Sequence, residues 1–310
     1  MDITVCICTR DRPHYLRDCL NGLSRQTVGA GRFDILVVDS ASCGDTPAQI
    51  ARLVAGIANA KLLRMERPGV SFARNAGAAA ARGSYIAYID DDAIPAPDWI
   101  ERILETIAEA DPPPALIGGR IMPRWEAPLP MWWPPHLRGT LSIIECEGQG
   151  EYRAAPLPAR LEPYGANMIV HVPTLLALGG FGRHSGRVGK ALLSDEDVQL
   201  AWRLQAAGHS ARYDSRIVVQ HQIQADRLTP RWLLSRLYWQ GVSTVLTRRL
   251  LGQSAAVWRE LPRRFAVAVL LAPFGLVPRR STYLVPCRWR LAYAVGFVRS
   301  ALGPSLEAGE

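Results

Sequence analysis

Along the N-terminal third of the chain, two hydrophobic periods take turns. Short apolar, β-branched runs at Ile3–Cys8, Asp34–Val38, Lys61–Arg64 and Tyr85–Ile89 predict strands, and the spacing in His14–Leu23, Thr46–Ile57 and Ser71–Ala81 predicts helices between them. Pro13 stands where a first helical turn tolerates it. Such alternation implies an α/β fold with a mostly parallel, Rossmann-like central sheet flanked by helices, whose ligands lie beyond the carboxyl ends of the strands. Thr9–Arg12, Asp39–Ser42 and Asp90–Asp92 all fall at such ends. From Pro112 to Pro163 the pattern lapses into Pro- and Trp-rich sequence, including Trp125, Trp132 and Trp133, and predicts mainly loop.

The polar clusters carry candidate chemistry. Asp90, Asp91 and Asp92 repel one another and call for a compensating cation or a set of donors. Alternation along an extended segment would turn Asp90 and Asp92 to one site and Asp91 away. Hard oxygen ligands of this kind suit Mg²⁺ or Mn²⁺, which take one or two carboxylates plus substrate phosphates; a solvated acidic turn is the plainer alternative. Asp39 could accept from the imide N–H of a uracil while Thr9, Arg10 and Asp11 wall the ring, which favours uridine; Asp39 equally suits the cap of a turn over Ser40–Asp45. Arg74 and Asn75 follow the small residues Gly69, Ser71 and Ala73, so that a helix start could approach a nucleotide with the guanidinium on a phosphate or base. Arginine is weak evidence by itself, since Lys61 and Lys190 are the only lysines among 36 basic residues.

A second acidic cluster comes a hundred residues later in "SDEDVQLAWRLQAAGHSARYDSRIVVQHQI". Ser194 could cap a helix whose first turn carries Asp195, Glu196 and Asp197, with Val198, Leu200, Ala201 and Leu204 as the buried stripe. His221 ends the β-branched run Ile217–Val219, where a lone histidine is commonly structural.

In order and spacing, "VCICTRDRPHYL", "ILVVDSAS" and "GVSFARNAGAAAARGSYIAYIDDDAIPAPDWIE" resemble the blocks of the inverting family-2 glycosyltransferases with the nucleotide-binding GT-A fold, over roughly Ile3–Ser243. The resemblance implies a metal-dependent transferase that moves a sugar from a nucleotide-diphosphate donor, with UDP favoured, to an acceptor hydroxyl. It implies that Asp197 is the catalytic base, preceded by Glu196, with Asp195 as the substitute if the register is off. His221 would complete a Mn²⁺ or Mg²⁺ site with Asp92 and Asp90, a DXD-type set. Nucleotide contacts would come from Thr9, Arg10, Asp11, Arg12, Asp39, Arg74, Asp90 and Asp91, and acceptor contacts from Trp133, Asn167 and Trp239. A nucleotidyltransferase would show a Gly-rich phosphate loop where this chain has Thr9-Arg10-Asp11-Arg12. A nonenzymatic scaffold of the same fold should have lost the base or the metal ligands.

Composition bounds the rest. With 310 residues and 48% apolar content, one large α/β domain and an appendage can be buried. The expected division is a transferase domain over 1–226, with a nucleotide-binding half at 1–120 and an acceptor half at 121–226, followed by a basic, apolar helical region over 227–310. The first strand starts at Ile3, which leaves no n-region for a signal peptide. Cys6, Cys8, Cys19, Cys43, Cys146 and Cys287 show no zinc spacing, so a reduced cytoplasmic setting is expected. Residues 227–299 hold thirteen arginines against Glu260, or +12 of the chain's +8, leaving −4 elsewhere. Together with the fourteen-residue uncharged run Phe265–Pro278, this suggests an anionic membrane surface, at the inner face of the plasma membrane, or a packed hairpin or homodimer contact. Nucleic acid is not expected, because no recognised binding module accompanies the charge. The acceptor could be a sugar, a lipid-linked glycan or a small molecule.

Overall fold

A computed structural model describes residues 2–159, 161–182, 192–276 and 285–303. The chain forms two compact units: Met1–Arg124, Ser142–Arg183 and Leu200–Gln222 make the first, and Trp125–Leu141, His184–Gln199 and Ile223–Glu310 the second. The expected division at residue 226 follows chain order, whereas these units interleave along the sequence.

The first unit opens with β1 (Ile3–Thr9), α1 (Pro13–Leu23), β2 (Phe33–Ser40), α2 (Thr46–Ala55), β3 (Ala60–Met65), α3 (Val70–Ala80) and β4 (Tyr85–Asp90), the alternation that the periodicity predicts. Then come β5 (Ala93–Pro95), α4 (Trp99–Ala108), β6 (Leu116–Trp125), β7 (Gln149–Glu151), β8 (Met168–His171), α5 (Val172–Ala177), α6 (Glu196–Ala206) and β9 (Ala211–Ile223). Among the described residues the strands form one sheet of nine, in the order β3-β2-β1-β4-β8-β6-β9-β5, with β7 beside β9. Strands β1 and β2 are buried along almost their whole length, which is why they read as unbroken apolar runs. The sheet is parallel from β3 to β4; β8 runs antiparallel to β4 and β6, and β9 antiparallel to β5 and β7. The expected α/β sheet flanked by helices is present, with its parallel part formed by the first four strands.

Strand β6 corrects a second expectation, since it lies inside the stretch predicted to be mainly loop. Its sequence opens Leu-Ile-Gly-Gly, and both glycines mark close approaches. A Cβ on Gly118 would fall 1.9 Å from the Tyr152 hydroxyl, and one on Gly119 would fall 2.3 Å from both the Asn167 amide and the Ile217 carbonyl. Glycine weakens the strand signal in a sequence where the fold needs a bare backbone.

The second unit is built on α7 (Pro230–Leu250), α8 (Ser254–Leu276) and α9 (Val285–Leu302). Thr229 caps α7 by accepting from the Trp232 N–H. Helices α7 and α9 cross with backbones nearly touching: a Cβ on Gly241 would lie 2.2 Å from the Tyr293 carbonyl, and one on Gly296 2.0 Å from that of Tyr238. Val245, Val257, Phe297 and Ala301 form its small core. The expected helical appendage is therefore present; Val277 to Arg280, the end of the uncharged run and its flanking arginines, lies outside the described residues.

Candidate functional site

Parallel pairing brings three strand ends to one edge of the sheet. Thr9 lies opposite Asp39, and Cys8 opposite Asp90. Antiparallel pairing of β5 with β9 sets His221 opposite Ala93, and the Gln222 N–H donates to the Asp92 carbonyl at 2.7 Å. Residues distant in sequence are thus fixed by backbone register before any side chain is considered.

Strand β4 ends at Asp90, and Asp91 and Asp92 form the turn into β5. The turn breaks the pleat, so the predicted alternation fails: Asp91 and Asp92 share a partner, and Asp90 has another. Arg12 donates from Nη1 to Asp91 Oδ1 at 2.8 Å and from Nη2 to Asp92 Oδ2 at 2.6 Å, bridging two buried carboxylates with one guanidinium. That guanidinium lies 4.6 Å from the centroid of the Tyr15 ring. Burial works to lower the Arg12 pKa, but the charges of Asp91 and Asp92 outweigh it and raise it. Thr9 Oγ1 donates to Asp91 Oδ2 at 2.7 Å. Even so, burial pushes Asp91 up to about 7, with Asp92 and Asp90 adding to the rise that Arg12 and Thr9 only partly offset.

Asp90 is half-exposed and faces Arg74 Nη2 at 3.4 Å. Arg74 itself is buried, packed 5.4 Å from the Phe181 ring centroid and against Gly165, where a Cβ would lie 1.9 Å from its Nη2. It therefore meets Asp90 from a buried position. Asn75 grips the backbone of Phe181, donating to its carbonyl at 2.9 Å and accepting from its N–H at 2.8 Å.

On the neighbouring loop, Asp39 Oδ1 accepts from the Ser42 N–H at 2.9 Å and Oδ2 from Arg64 Nη1 at 2.7 Å, so the turn-capping alternative is realised. Asp11, at φ 55°, accepts from the Cys43 N–H at 2.8 Å and donates its own N–H to Ser42 Oγ at 2.9 Å. Arg10 is exposed beside it. Arg64 and Tyr15 escaped the sequence reading, because an exposed strand arginine and a helical tyrosine look ordinary in isolation.

For a divalent cation, Asp92 and His221 fit. Asp92 Oδ1 and His221 Nε2 are 3.3 Å apart and buried, close to the roughly 3 Å between adjacent ligands of an octahedral ion with 2.0–2.1 Å bonds. His221 Nδ1 is buried with no hydrogen-bond partner. Asp90, paired with Arg74, does not join them, and among the described residues no group of three His, Cys, Asp or Glu side chains gathers for a metal. The three-residue set expected from sequence is corrected to two, leaving the remaining positions to phosphate and water oxygens.

Asn167 is also corrected. Fully buried, it accepts from the Trp99 indole at 2.9 Å and donates to the Arg120 and Ile217 carbonyls at 3.0 and 2.9 Å. Its amide is spent joining α4, β6 and β9, with no donor left for an acceptor sugar.

In the second unit, Asp195 takes φ 78° just before α6 and accepts Gln240 Nε2 on both oxygens at 2.9 and 3.1 Å, with Ser194 Oγ at 3.0 Å. Burial raises its pKa, against the opposing pull of Gln240, Arg236 and Ser194. Ser194, the expected cap, is instead engaged with Asp195 and Arg236. Glu196 and Asp197 start the helix; Asp197 Oδ1 accepts the Val198 N–H at 2.9 Å, and Gln199 donates to Thr247 at 2.8 Å. Trp133 is buried among Trp132 and Trp232, while Trp239 is half-buried on α7. Gln240 has no sequence signal that ties it to an acid 45 positions away.

Residues 4–150 match the family described as glycosyl transferase family 2. Among curated relatives, a glucosyl-dolichyl phosphate glucuronosyltransferase of Haloferax volcanii is 30% identical over 179 residues, 57% of this chain and 55% of that protein. A pre-mycofactocin glycosyltransferase of Mycobacterium tuberculosis is 27% identical over 253 residues, 80% of this chain and 48% of that protein. The chain thus spans about half the length of these relatives. A mannosyltransferase from Pyrobaculum calidifontis, solved with GDP-Man and Mn²⁺, superposes with a TM-score of 0.62 at 17% identity, covering 96% of this chain and 86% of that one. TarS from S. aureus, solved with UDP, gives 0.54 at 16% identity, covering 96% and 91%.

Proposed function

We propose that the chain catalyses metal-dependent, inverting transfer of a sugar from a nucleotide-diphosphate donor to an acceptor hydroxyl. The observation that carries this reading is that Thr9, Asp39 and Asp90, within the stretch that matches glycosyl transferase family 2, come to one edge of the sheet and Asp92 meets His221. Thr9, Asp11, Arg12 and Asp39 hold the nucleotide, and Arg74 fixes Asp90 against it. Asp92 and His221 hold a Mn²⁺ or Mg²⁺ ion, which when bound neutralises charge on the leaving diphosphate. Asp197, seconded by Glu196, takes the acceptor proton as the acceptor oxygen bonds to the anomeric carbon. The bond from that carbon to the diphosphate breaks, the nucleoside diphosphate leaves, and attack from the opposite side inverts the centre.

A UDP-sugar is the donor that the family resemblance favours; the Asp39 carboxylate, which already holds the Ser42 N–H and Arg64, does not by itself separate UDP from GDP. The name of the Haloferax relative supports a lipid-linked glycan as acceptor. Thermal-shift measurements with UDP- and GDP-sugars, with and without Mn²⁺, test the donor: a UDP-sugar should stabilise the protein in the presence of metal, and silence from every nucleotide sugar would sink the reading. Asp197→Asn should retain that donor shift while transfer falls by about 10²- to 10⁴-fold, the range for a lost general base. Loss of both together would mean that the base is misassigned.

A further inference from the structure

Helix α8 presents a face that neither its own unit nor the proposed chemistry uses. Trp258, Phe265 and Val269 are exposed by 57%, 53% and 57%, and Leu270 by 72%. At 100° per residue, Trp258, Pro262, Phe265, Val269 and Pro273 fall within about 80° of one another, a single apolar stripe. Arg259 and Arg263, both exposed, follow on one border of it. The helix holds a single acid, Glu260, and that side chain is taken by Arg248 at 3.2 Å and Arg264 at 3.3 Å. The exposed face therefore offers large apolar side chains and free positive charge with no competing carboxylate. Among the described residues no helix is long and apolar enough to cross a membrane, so an apolar stripe here can lie along a bilayer but not span it.

We propose that the exposed face of α8 is a docking surface for an anionic lipid bilayer. Trp258, Phe265, Val269 and Leu270 enter the boundary between headgroups and acyl chains, and Arg259 and Arg263 bind lipid phosphates. Charge selects this occupant over a second copy of the chain. The face carries Arg259 and Arg263, and the one acid of its helix is already paired, so two copies of it would set like charges together while an anionic surface attracts either one. The inference is independent of the sugar-transfer reading, because vesicles free of donor and acceptor test it.

The experiment is vesicle co-sedimentation of the whole chain, with phosphatidylglycerol–phosphatidylcholine vesicles compared with phosphatidylcholine alone, at low and high salt. Wild type should sediment with the anionic vesicles and be released by salt. Combining Trp258→Ser, Phe265→Ser and Val269→Ser should lower the partition coefficient at least about tenfold, because each lost apolar side chain removes buried area. Arg259→Gln with Arg263→Gln should weaken binding chiefly at low salt and flatten the salt dependence. An unchanged circular dichroism spectrum and melting transition certify that each variant is folded. Equal sedimentation on neutral vesicles, undiminished binding by the folded serine variant, or a wild-type dimer in sedimentation equilibrium that the serine variant dissolves would each overturn the proposal.

Discussion

Two buried carboxylates in the sheet unit, Asp91 and Asp214, each lie 2.8 Å from a guanidinium, yet their titrations move in opposite directions. Burial pushes both upward. For Asp214 the push is overcome: Arg216 donates from its side chain and its backbone N–H, Thr106 Oγ1 donates at 2.8 Å, and the carboxyl ends below its usual range. Asp91 receives only Thr9 and half of the Arg12 fork, while Asp92 and Asp90 add negative charge beside it. The difference lies in the number of donors per carboxylate. Asp214 is a finished structural joint that ties α4 to β9. At the Asp90–Asp92 edge negative charge exceeds the cations supplied, which is what a site awaiting an ion or a cationic partner requires.

Removing the finished joint should have the larger effect. Asp214→Ala takes one partner from a buried ion pair and leaves the Thr106 hydroxyl only the Arg102 carbonyl. Arg216 keeps Glu109 at 2.7 Å and is partly exposed, so the cost should fall at the low end for such losses, about 3 kcal/mol. Urea denaturation at neutral pH checks it. A loss within experimental error of zero would show that Arg216 and Glu109 alone hold the two elements.

The pH dependence of stability separates the two carboxylates further. The folded-state pKa of Asp214 lies below the unfolded value of 3.8, so its contribution is present above that value and is lost as pH falls through the folded one. Asp91 has the reverse sign. Its folded value of about 7 lies above 3.8, so the fold binds the proton more tightly than the unfolded chain, and stability falls as pH rises from 3.8 to about 7. A lone group would give about 1.4 kcal/mol per unit. Since the acids share Arg12, the observed slope should be shallower than that of a lone group. Asp91→Asn should flatten that slope and leave the acid limb in place. A variant that keeps the wild-type slope would move the titration to another group.

What the sequence disclosed follows the same line. Strands β1, β2 and β4 were legible because they are buried along nearly their whole length, and the acidic edge because polar residues end those strands; β3, at the sheet's edge, is largely exposed. Strand β6 was hidden by Gly118 and Gly119, whose bareness serves the Tyr152 and Asn167 contacts and carries no periodic signal. Asp92 and His221 come within 3.3 Å of each other, whereas Asp90 pairs with Arg74, because the pleat does not continue past the last residue of β4. Asn167 looked like a hydrogen-bonding residue free for a ligand; its three partners come from Trp99, Arg120 and Ile217, spread over more than a hundred positions. Contacts of that range leave no local trace.

The smallest expected effect is the most specific to the unfinished site. Thr9→Val keeps the shape of a buried side chain and removes one donor from Asp91, the hydroxyl 2.7 Å from Oδ2. With Asp91 ionised, a lost hydrogen bond to a charged group costs about 1.5 kcal/mol, less whatever the better-tolerated methyl recovers, so about 1 kcal/mol is expected. With Asp91 protonated, the carboxyl no longer needs that donor, and the cost should shrink. The Asp91 titration should also move upward, since the Thr9 bond is one of the two influences that lower it. Urea denaturation near each end of the Asp91 window measures both effects. An equal cost at the two ends would mean that Thr9 supports the packing of β1 and has no hold on the charge of Asp91.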